Sequence, residues 1–408
     1  MRLKEKKNLY DWLLILLVFL TAFGGLGGAL RPARIAAVLL LPSLLFKYSN
    51  CRYAKSVMMG LVAFYAYCLI SILWTPDKAE GLVELVYYPI HFALFLEIIV
   101  FARYATNPLN NLAMGWLLAL AFCCVIAFWE ISTGNHLEIA KEQKYVWNTG
   151  TEILNYMRSN ATFYNSNGFV TFLCYGIPWL FYDSWNSNSL LRKILFMVII
   201  VSAIVISLLN GSRGGLLSFI IMLLIFVALS FRVRRKGFFA VLLLIPAAYF
   251  LYYLYTHSVF AIMLARVSDG DNFENESRFV IWGNALKALG DTFGLGTGIG
   301  GMYEAMKVYS RGGISITHNL FLEVLLQYGF IFAVTFVYFL WCQLKKSLRL
   351  ENDRKMAMLM ALIALPAYGI INSGYLLDCH LYVLMATIFV FANYERIKFT
   401  NRGVCAVA

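Results

Sequence analysis

The sequence predicts an all-α, polytopic integral membrane protein with about 12 transmembrane helices and a large outer loop between helices 9 and 10. Of its 408 residues, 61% are hydrophobic and only 14% are charged, whereas a soluble domain is about half apolar and a quarter charged. The apolar residues form blocks of about 20, the length that crosses the hydrocarbon core of a bilayer. A backbone in lipid must satisfy its own hydrogen bonds, so we expect the spans to be helices.

The predicted spans follow these apolar blocks along a single membrane domain, residues 1–408. The first block comes directly after the basic stretch MRLKEKK, and no small-residue cleavage site follows it. We therefore expect an uncleaved first helix and not a signal peptide. The predicted spans are 10–30, 33–49, 57–75, 81–103, 110–131, 167–184, 193–209, 214–231, 237–255, 318–344, 356–375 and 379–395.

The positive charges predict the sidedness of the chain. With the N-terminus inside, 22 of the 34 Lys and Arg residues lie on inner segments, in dense runs at 232–236 and 345–355. This is the positive-inside bias, and an even number of spans returns the C-terminus to the inner side. Two long connections, 131–166 and 256–317, then lie outside, and the second is an extracytoplasmic loop with short helices. The net charge of +12 is thereby explained without nucleic acid.

The short inner loops exclude several classes of enzyme. They are too small for a nucleotide-binding domain, and the sequence has no GxxxxGK[ST] phosphate loop. The eight cysteines have no metal-ligand spacing. Chemistry is therefore predicted at the outer face, where nucleotide sugars and ATP are generally absent. A substrate must arrive there already activated, and a lipid-carried one reaches the site through the membrane plane.

Two arginines stand at the predicted outer edge of the membrane. Arg213, in NGSRGG, either faces a polar interior or snorkels to water from a short turn, and the residues leave both open. Arg278 begins a predicted amphipathic helix that is capped by Ser277 and ends near Gly290. An arginine there either anchors the helix at lipid headgroups or pairs bidentately with phosphate. The residues alone favour the anchor.

A glycine run at 294–301, GLGTGIGG, superficially matches the GxGxxG pattern of dinucleotide sites. No predicted strand precedes it, so we reject a dinucleotide site. The better interpretation is a backbone that comes close to a ligand or to another helix.

Polar residues begin predicted span ten. Asn319, Glu323 and Gln327 recur every four residues and form a stripe on one helix face, which must contact protein or a wet cavity. His318 is a candidate general base, because neutral imidazole accepts a proton near pH 7. On the pattern alone, a histidine at a helix start is more commonly a cap or an interfacial residue.

Another polar group precedes predicted span six. Arg158 comes before Asn160, Asn165 and Asn167 at its outer entry. These residues predict either a polar mouth or a helix-capping loop, and the sequence does not separate the two.

The motifs occur in a characteristic order. SRGG at 212–215 is followed by SRxxxW at 277–282, the glycine run and HNxxLxxxxxxG at 318–329. In this order, spacing and shared sidedness the chain resembles the bacterial O-antigen ligase and polysaccharide polymerase family. The motifs cover about 200–345, the O-antigen ligase/polymerase-like core, while the helix count and the position of the large outer loop agree over the whole chain.

The resemblance implies an inverting glycosyltransferase that needs no metal, cofactor or nucleotide sugar and uses an undecaprenyl-diphosphate-linked glycan as donor. It implies that Arg213 and Arg278 bind the diphosphate. His318 is then the catalytic residue that accepts the proton of the attacking hydroxyl. The residues expected to line the substrate cavity are Asn319, Glu323, Arg158 and Asn167.

The resemblance also implies a place in the bacterial cytoplasmic membrane, with the active site extracytoplasmic, in the synthesis of O-antigen, capsule or exopolysaccharide. A polymerase extends another lipid-linked repeat unit, whereas a ligase transfers the glycan to the lipid A core of lipopolysaccharide. HNxxLE and ATFYNSNGFV are closer to polymerase-type members. Membrane lipids, a flippase and a chain-length regulator are the expected partners, and nucleic acid is not one. The rival hypothesis is a lipid-linked oligosaccharide transporter or flippase, which usually has two related halves.

Overall fold

The computed structural model describes residues 7–49, 51–139, 158–230, 278–310 and 315–399. Over these ranges the secondary structure is helical and contains no strand. Short 3₁₀ helices cover Leu20–Phe23, Gly28–Leu30 and Tyr375–Leu377. The α-helices are α1 Leu9–Phe19, α2 Pro32–Tyr48, α3 Arg52–Ser71, α4 Lys78–Tyr104, α5 Pro108–Thr133, α6 Ser166–Asn186, α7 Leu190–Leu209, α8 Arg213–Ser230, α9 Arg278–Gly290, α10 Met302–Ser310, α11 Leu320–Ser347, α12 Asn352–Ile363, α13 Leu365–Tyr368 and α14 Cys379–Phe399.

Six helices among the described residues are long and apolar enough to cross a membrane, which confirms the all-α membrane class. They are α4, α5, α7, α8, α11 and the part of α3 from Tyr53 to Ser71. Predicted span 237–255 lies outside the described residues. The total of about twelve therefore stays a prediction.

Two predicted spans are each divided between separate helical elements, and the prediction is wrong in this respect. In segment 10–30, α1 gives way to 3₁₀ turns at Leu20–Phe23 and Gly28–Leu30. Gly24 follows the first turn and Gly27 precedes the second, with positive φ angles of 48° and 85° that glycine adopts readily. In segment 356–375, α12 stops at Ile363. Pro366 then interrupts the helix, since proline lacks an N–H and clashes with the preceding turn.

At each end of the bundle, segments that contact one another are predicted by the charge pattern to lie on the same side of the membrane. At one end, Asn8 Nδ2 donates to the carbonyl of Tyr104 over 2.9 Å, and both residues carry a predicted inner position. At the other, Arg31 pairs with Asp378 over 2.8 Å, and both carry a predicted outer position. Between the ends, α4 runs through the core and packs against α14, α2, α1 and α3.

The glycine run 294–301, hereafter the glycine clip, bonds to a break in α11. Gly329 has φ 76° and interrupts the helix, so the carbonyls just before it lose their helical partners. The Leu326 carbonyl instead accepts a hydrogen bond from Thr297 N–H over 2.8 Å. Just past the break, Phe330 N–H donates a hydrogen bond to the carbonyl of Gly294, the first residue of the clip, over 3.0 Å. The clip thus satisfies backbone groups that lipid would leave unpaired.

This packing predicts that Gly296→Ala destabilises the protein. Gly296 has φ 92°, and a Cβ there would lie 2.5 Å from the amide nitrogen of Gly329. We expect a loss of at least about 2 kcal/mol, measured as a lower midpoint of thermal unfolding in detergent. Gly283→Ala is the matched control in α9, where a Cβ meets nothing within 4 Å. This control should leave the free energy of unfolding unchanged or raise it by up to about 1 kcal/mol. An equal loss of stability in both variants would contradict the close packing of the glycine clip against α11.

Candidate active site

His318 is fixed from both sides just before α11. Its φ of 46° is unusual for a residue other than glycine and costs about 1–3 kcal/mol when the surroundings impose it. On one side, Trp282 Nε1 donates to the Thr317 carbonyl over 3.1 Å. On the other, Asn319 caps α11, its Oδ1 accepting a hydrogen bond from Phe321 N–H over 3.0 Å. The backbone of His318 is therefore held in a defined conformation just before the first turn of α11.

Arg278 lies close enough to His318 to change its electrostatics. It is the first residue of α9, is exposed, and donates from Nη1 to the Ile370 carbonyl over 2.6 Å. Burial and the charge of Arg278 lower the pKa of His318 to about 4. At pH 7 the imidazole is consequently neutral and able to accept a proton.

Arg213 approaches the same place from α8, of which it is the first residue. A Cβ on its neighbour Gly214 would lie 2.8 Å from Cγ1 of Ile371 and 3.1 Å from the carbonyl of Ala367. The start of α8 therefore sits directly on the chain that carries Ile370. The Arg213 side chain is exposed.

Residues 365–372, hereafter the central segment, join these three elements. Its Gly369 carbonyl accepts a hydrogen bond from Leu320 N–H over 2.7 Å, which attaches the start of α11 next to His318. The Ile370 carbonyl receives Arg278, and Ile371 contacts the start of α8. The structure thus brings Arg213, Arg278 and His318 round one short segment, although up to 105 residues of sequence separate them.

Glu323 supports the chain that follows the central segment. Its carboxylate accepts hydrogen bonds from Gly374 N–H and Leu376 N–H, each over 3.0 Å, and the residue is only 2% exposed. One turn further, Gln327 donates to the carboxylate of Glu84. The predicted polar stripe on α11 therefore contacts protein.

Arg158 and Asn167 lie on the segment that enters α6. Asn167 is half-buried in the first turn of α6, and its carbonyl accepts from Thr171 Oγ1 over 2.9 Å. A Cβ on Gly168 would lie 3.4 Å from Nδ2 of Asn372, so this entry also borders the central segment. Arg158, likewise half-buried, precedes a tight connection to the end of α7.

Sequence reasoning missed the residues that assemble the site. The central segment was included in an apolar span, and only Pro366 signalled the break. Glu130, a carboxylate near the end of apolar α5, is completely buried and bonds residues 159–161, which the sequence did not indicate. In the described part of the chain, no group of three His, Cys, Asp or Glu side chains is arranged to hold a metal ion.

Comparison with known proteins bears on residues 195–337, which match the family model described as O-antigen ligase. This match supports the resemblance of the chain to the O-antigen ligase and polysaccharide polymerase family. The matched segment includes Arg213, Arg278 and His318, whereas Arg158 and the central segment lie outside it. None of the curated proteins matches the chain. The O-antigen ligase domain implies a glycosyltransferase-like membrane enzyme of bacteria that acts on lipid-linked glycans.

Proposed function

We propose that this protein polymerises undecaprenyl-diphosphate-linked oligosaccharide at the outer face of the bacterial cytoplasmic membrane. The observation that carries the proposal is the meeting of Arg213, Arg278 and His318 around the central segment. These residues come from three separate motifs of the O-antigen ligase domain. Two guanidinium groups and one neutral imidazole suit a reaction in which a diphosphate leaves and a hydroxyl group loses its proton.

The transfer is a single displacement. The acceptor hydroxyl oxygen attacks the anomeric carbon of the donor, whose bond to the diphosphate oxygen breaks. The electron pair of that bond stays with the diphosphate, beside Arg213 and Arg278, and the hydroxyl proton passes to His318. Attack opposite the leaving group inverts the anomeric configuration. This account uses no metal ion, because the arginines supply the positive charge at the leaving oxygen.

The proposed membrane arrangement has about twelve spans with both termini in the cytoplasm. The loop 256–317 is then extracytoplasmic, and α9 and α10 are its short helices. In this proposal, Arg158 and Asn167 line the substrate site beside the central segment. Asn319 and Glu323, which follow His318 at the start of α11, line it as well. A flippase that delivers the lipid-linked donor and a chain-length regulator are the proposed partners, in O-antigen, capsule or exopolysaccharide synthesis.

The acceptor distinguishes a polymerase from a ligase. We favour a polymerase because HNLFLE at 318–323 and ATFYNSNGFV at 161–170 resemble polymerase-type members. The test incubates purified protein in nanodiscs with lipid-linked repeat units alone. Growth of longer chains supports the polymerase, whereas no product until lipid A core is added supports the ligase. No transfer to either acceptor, with movement of the intact lipid-linked unit across the bilayer, supports a transporter.

Transfer should depend on pH in a way that identifies His318. Burial and Arg278 lower the pKa of His318 to about 4, so its neutral, proton-accepting form predominates above that pH. We expect kcat/KM to stay level between neutral pH and about pH 5 and to fall as the pH drops through about 4. In the residual activity of Arg278→Gln, this fall should occur at a higher pH, because the charge of Arg278, one of the two causes of the low pKa, is removed. A fall near the ordinary value of about 6.5 in the unaltered protein would argue against His318 as the base.

A further inference from the structure

The loop that begins at Arg158 is organised by one buried carboxylate. Glu130 Oε2 accepts hydrogen bonds from Ser159 Oγ (2.5 Å), Asn160 N–H (2.9 Å) and Ala161 N–H (2.8 Å). The residue is 0% exposed, so these three bonds replace the water that a carboxylate would otherwise require, together with a contact of 3.2 Å between Glu130 Oε1 and His136 Nδ1. The backbone directly after Arg158 consequently has a fixed course.

A second connection ties this loop to the turn that carries Arg213. Ser159 N–H donates to Asn210 Oδ1, and Asn210 Nδ2 donates back to the Ser159 carbonyl, both over 2.9 Å. Asn210 is 5% exposed and stands three residues before Arg213. The reciprocal pair therefore holds Arg158 beside the Arg213 turn, although the two arginines belong to different loops.

The Arg158 side chain has an unused donor in this position. Its Nε is shielded from solvent, and no group in the described ranges accepts a hydrogen bond from it. Leaving a shielded guanidinium N–H unpaired is unfavourable, and an anion is the partner that removes this cost best. The fixed backbone and the unused donor together indicate a built place for a negatively charged group.

We infer that Arg158 is the third guanidinium of the diphosphate site and acts on the charge that develops during transfer. The inference rests on the proposed function. A sugar diphosphate diester carries two negative charges, and cleavage of its bond to the sugar creates a third on the leaving oxygen. The charges of Arg213 and Arg278 equal in number the two negative charges of the bound donor. A third arginine therefore stabilises the transition state more than the bound donor, and its loss lowers kcat more than it raises KM.

Kinetics of Arg158→Gln, Arg158→Lys and Arg349→Gln in nanodiscs test the inference. Arg349 is an exposed arginine of the loop after α11 and serves as the matched control. We expect kcat of Arg158→Gln to fall on the order of 100-fold, with KM changed less than about threefold. Arg158→Lys should recover part of kcat, because lysine keeps the positive charge but lacks the planar guanidinium group that bonds phosphate through two donors. Arg349→Gln should match the unaltered protein.

Binding of two product-like lipids separates this inference from the proposed function. Undecaprenyl diphosphate carries one more charge than undecaprenyl monophosphate, and native mass spectrometry measures the affinity for each. The unaltered protein should prefer the diphosphate, and Arg158→Gln should lose most of that preference while its thermal midpoint is retained. An unchanged preference and kcat in Arg158→Gln overturn the inference alone. If the unaltered protein neither binds undecaprenyl diphosphate nor transfers glycan, the proposed function fails with it.

Discussion

His318→Ala and His318→Asn should each lower glycan transfer by a factor of about 10²–10⁴, the usual contribution of a positioned general base. The neutral imidazole next to Arg278 is the group in the assembled site that can accept the hydroxyl proton at pH 7. The measurement is the rate of chain extension by purified protein in nanodiscs with lipid-linked repeat units. Donor binding should survive, since the proposed diphosphate contacts are made by the arginines.

His318→Asn is the more informative of the two variants. His318 has φ 46°, and asparagine tolerates this left-handed region better than alanine does. The fold around Asn319 and Leu320 should therefore persist in the asparagine variant, which an unchanged thermal midpoint would verify. Normal transfer by His318→Asn would remove proton acceptance at this position from the mechanism.

Arg278→Ala is expected to reduce kcat by about 10²–10³, as for removal of one preorganised charge-stabilising donor. Its Nη1 is already held by the Ile370 carbonyl over 2.6 Å, so the guanidinium is oriented before substrate arrives. The other guanidinium nitrogens then remain for the phosphate oxygens. Arg278→Lys should recover little, because an ammonium group cannot bond the carbonyl and chelate phosphate in the same planar geometry.

Lys287→Gln provides the control for the arginine. Lys287 is exposed on the same helix and carries the same charge, yet it lies near the opposite end of α9. Its loss should leave kcat within about twofold, as expected of a screened surface charge. Equal effects of Arg278→Ala and Lys287→Gln would indicate that α9 contributes only a general positive field.

Much of the site could be predicted because local chemistry determines it. Helix α9 ends at Gly290 as the sequence indicates, since a glycine favours the helix terminus. The stripe of Asn319, Glu323 and Gln327 contacts protein because lipid offers polar groups no partners. The glycine run comes close to a helix, as expected, where side chains would not fit.

What the sequence could not provide is pairing between distant segments. The central segment is apolar, so hydropathy placed it in a span, yet the carbonyls of Gly369 and Ile370 in this segment accept hydrogen bonds from Leu320 and Arg278. Likewise, no periodicity links Glu130 to Ser159 or Ser159 to Asn210, because each bond depends on tertiary packing. Candidate residues could be named from motifs, but their common meeting place became visible only in three dimensions.

The glycine clip has a mechanical consequence for catalysis. Through it, the chain leaving α9 is fastened to α11 at the break by Gly329, and Trp282 fastens α9 again next to His318. The backbone segments that carry His318 and Arg278 are therefore held together at two points. The proposed transfer would therefore begin from a spacing between these two side chains that backbone contacts set before any substrate binds.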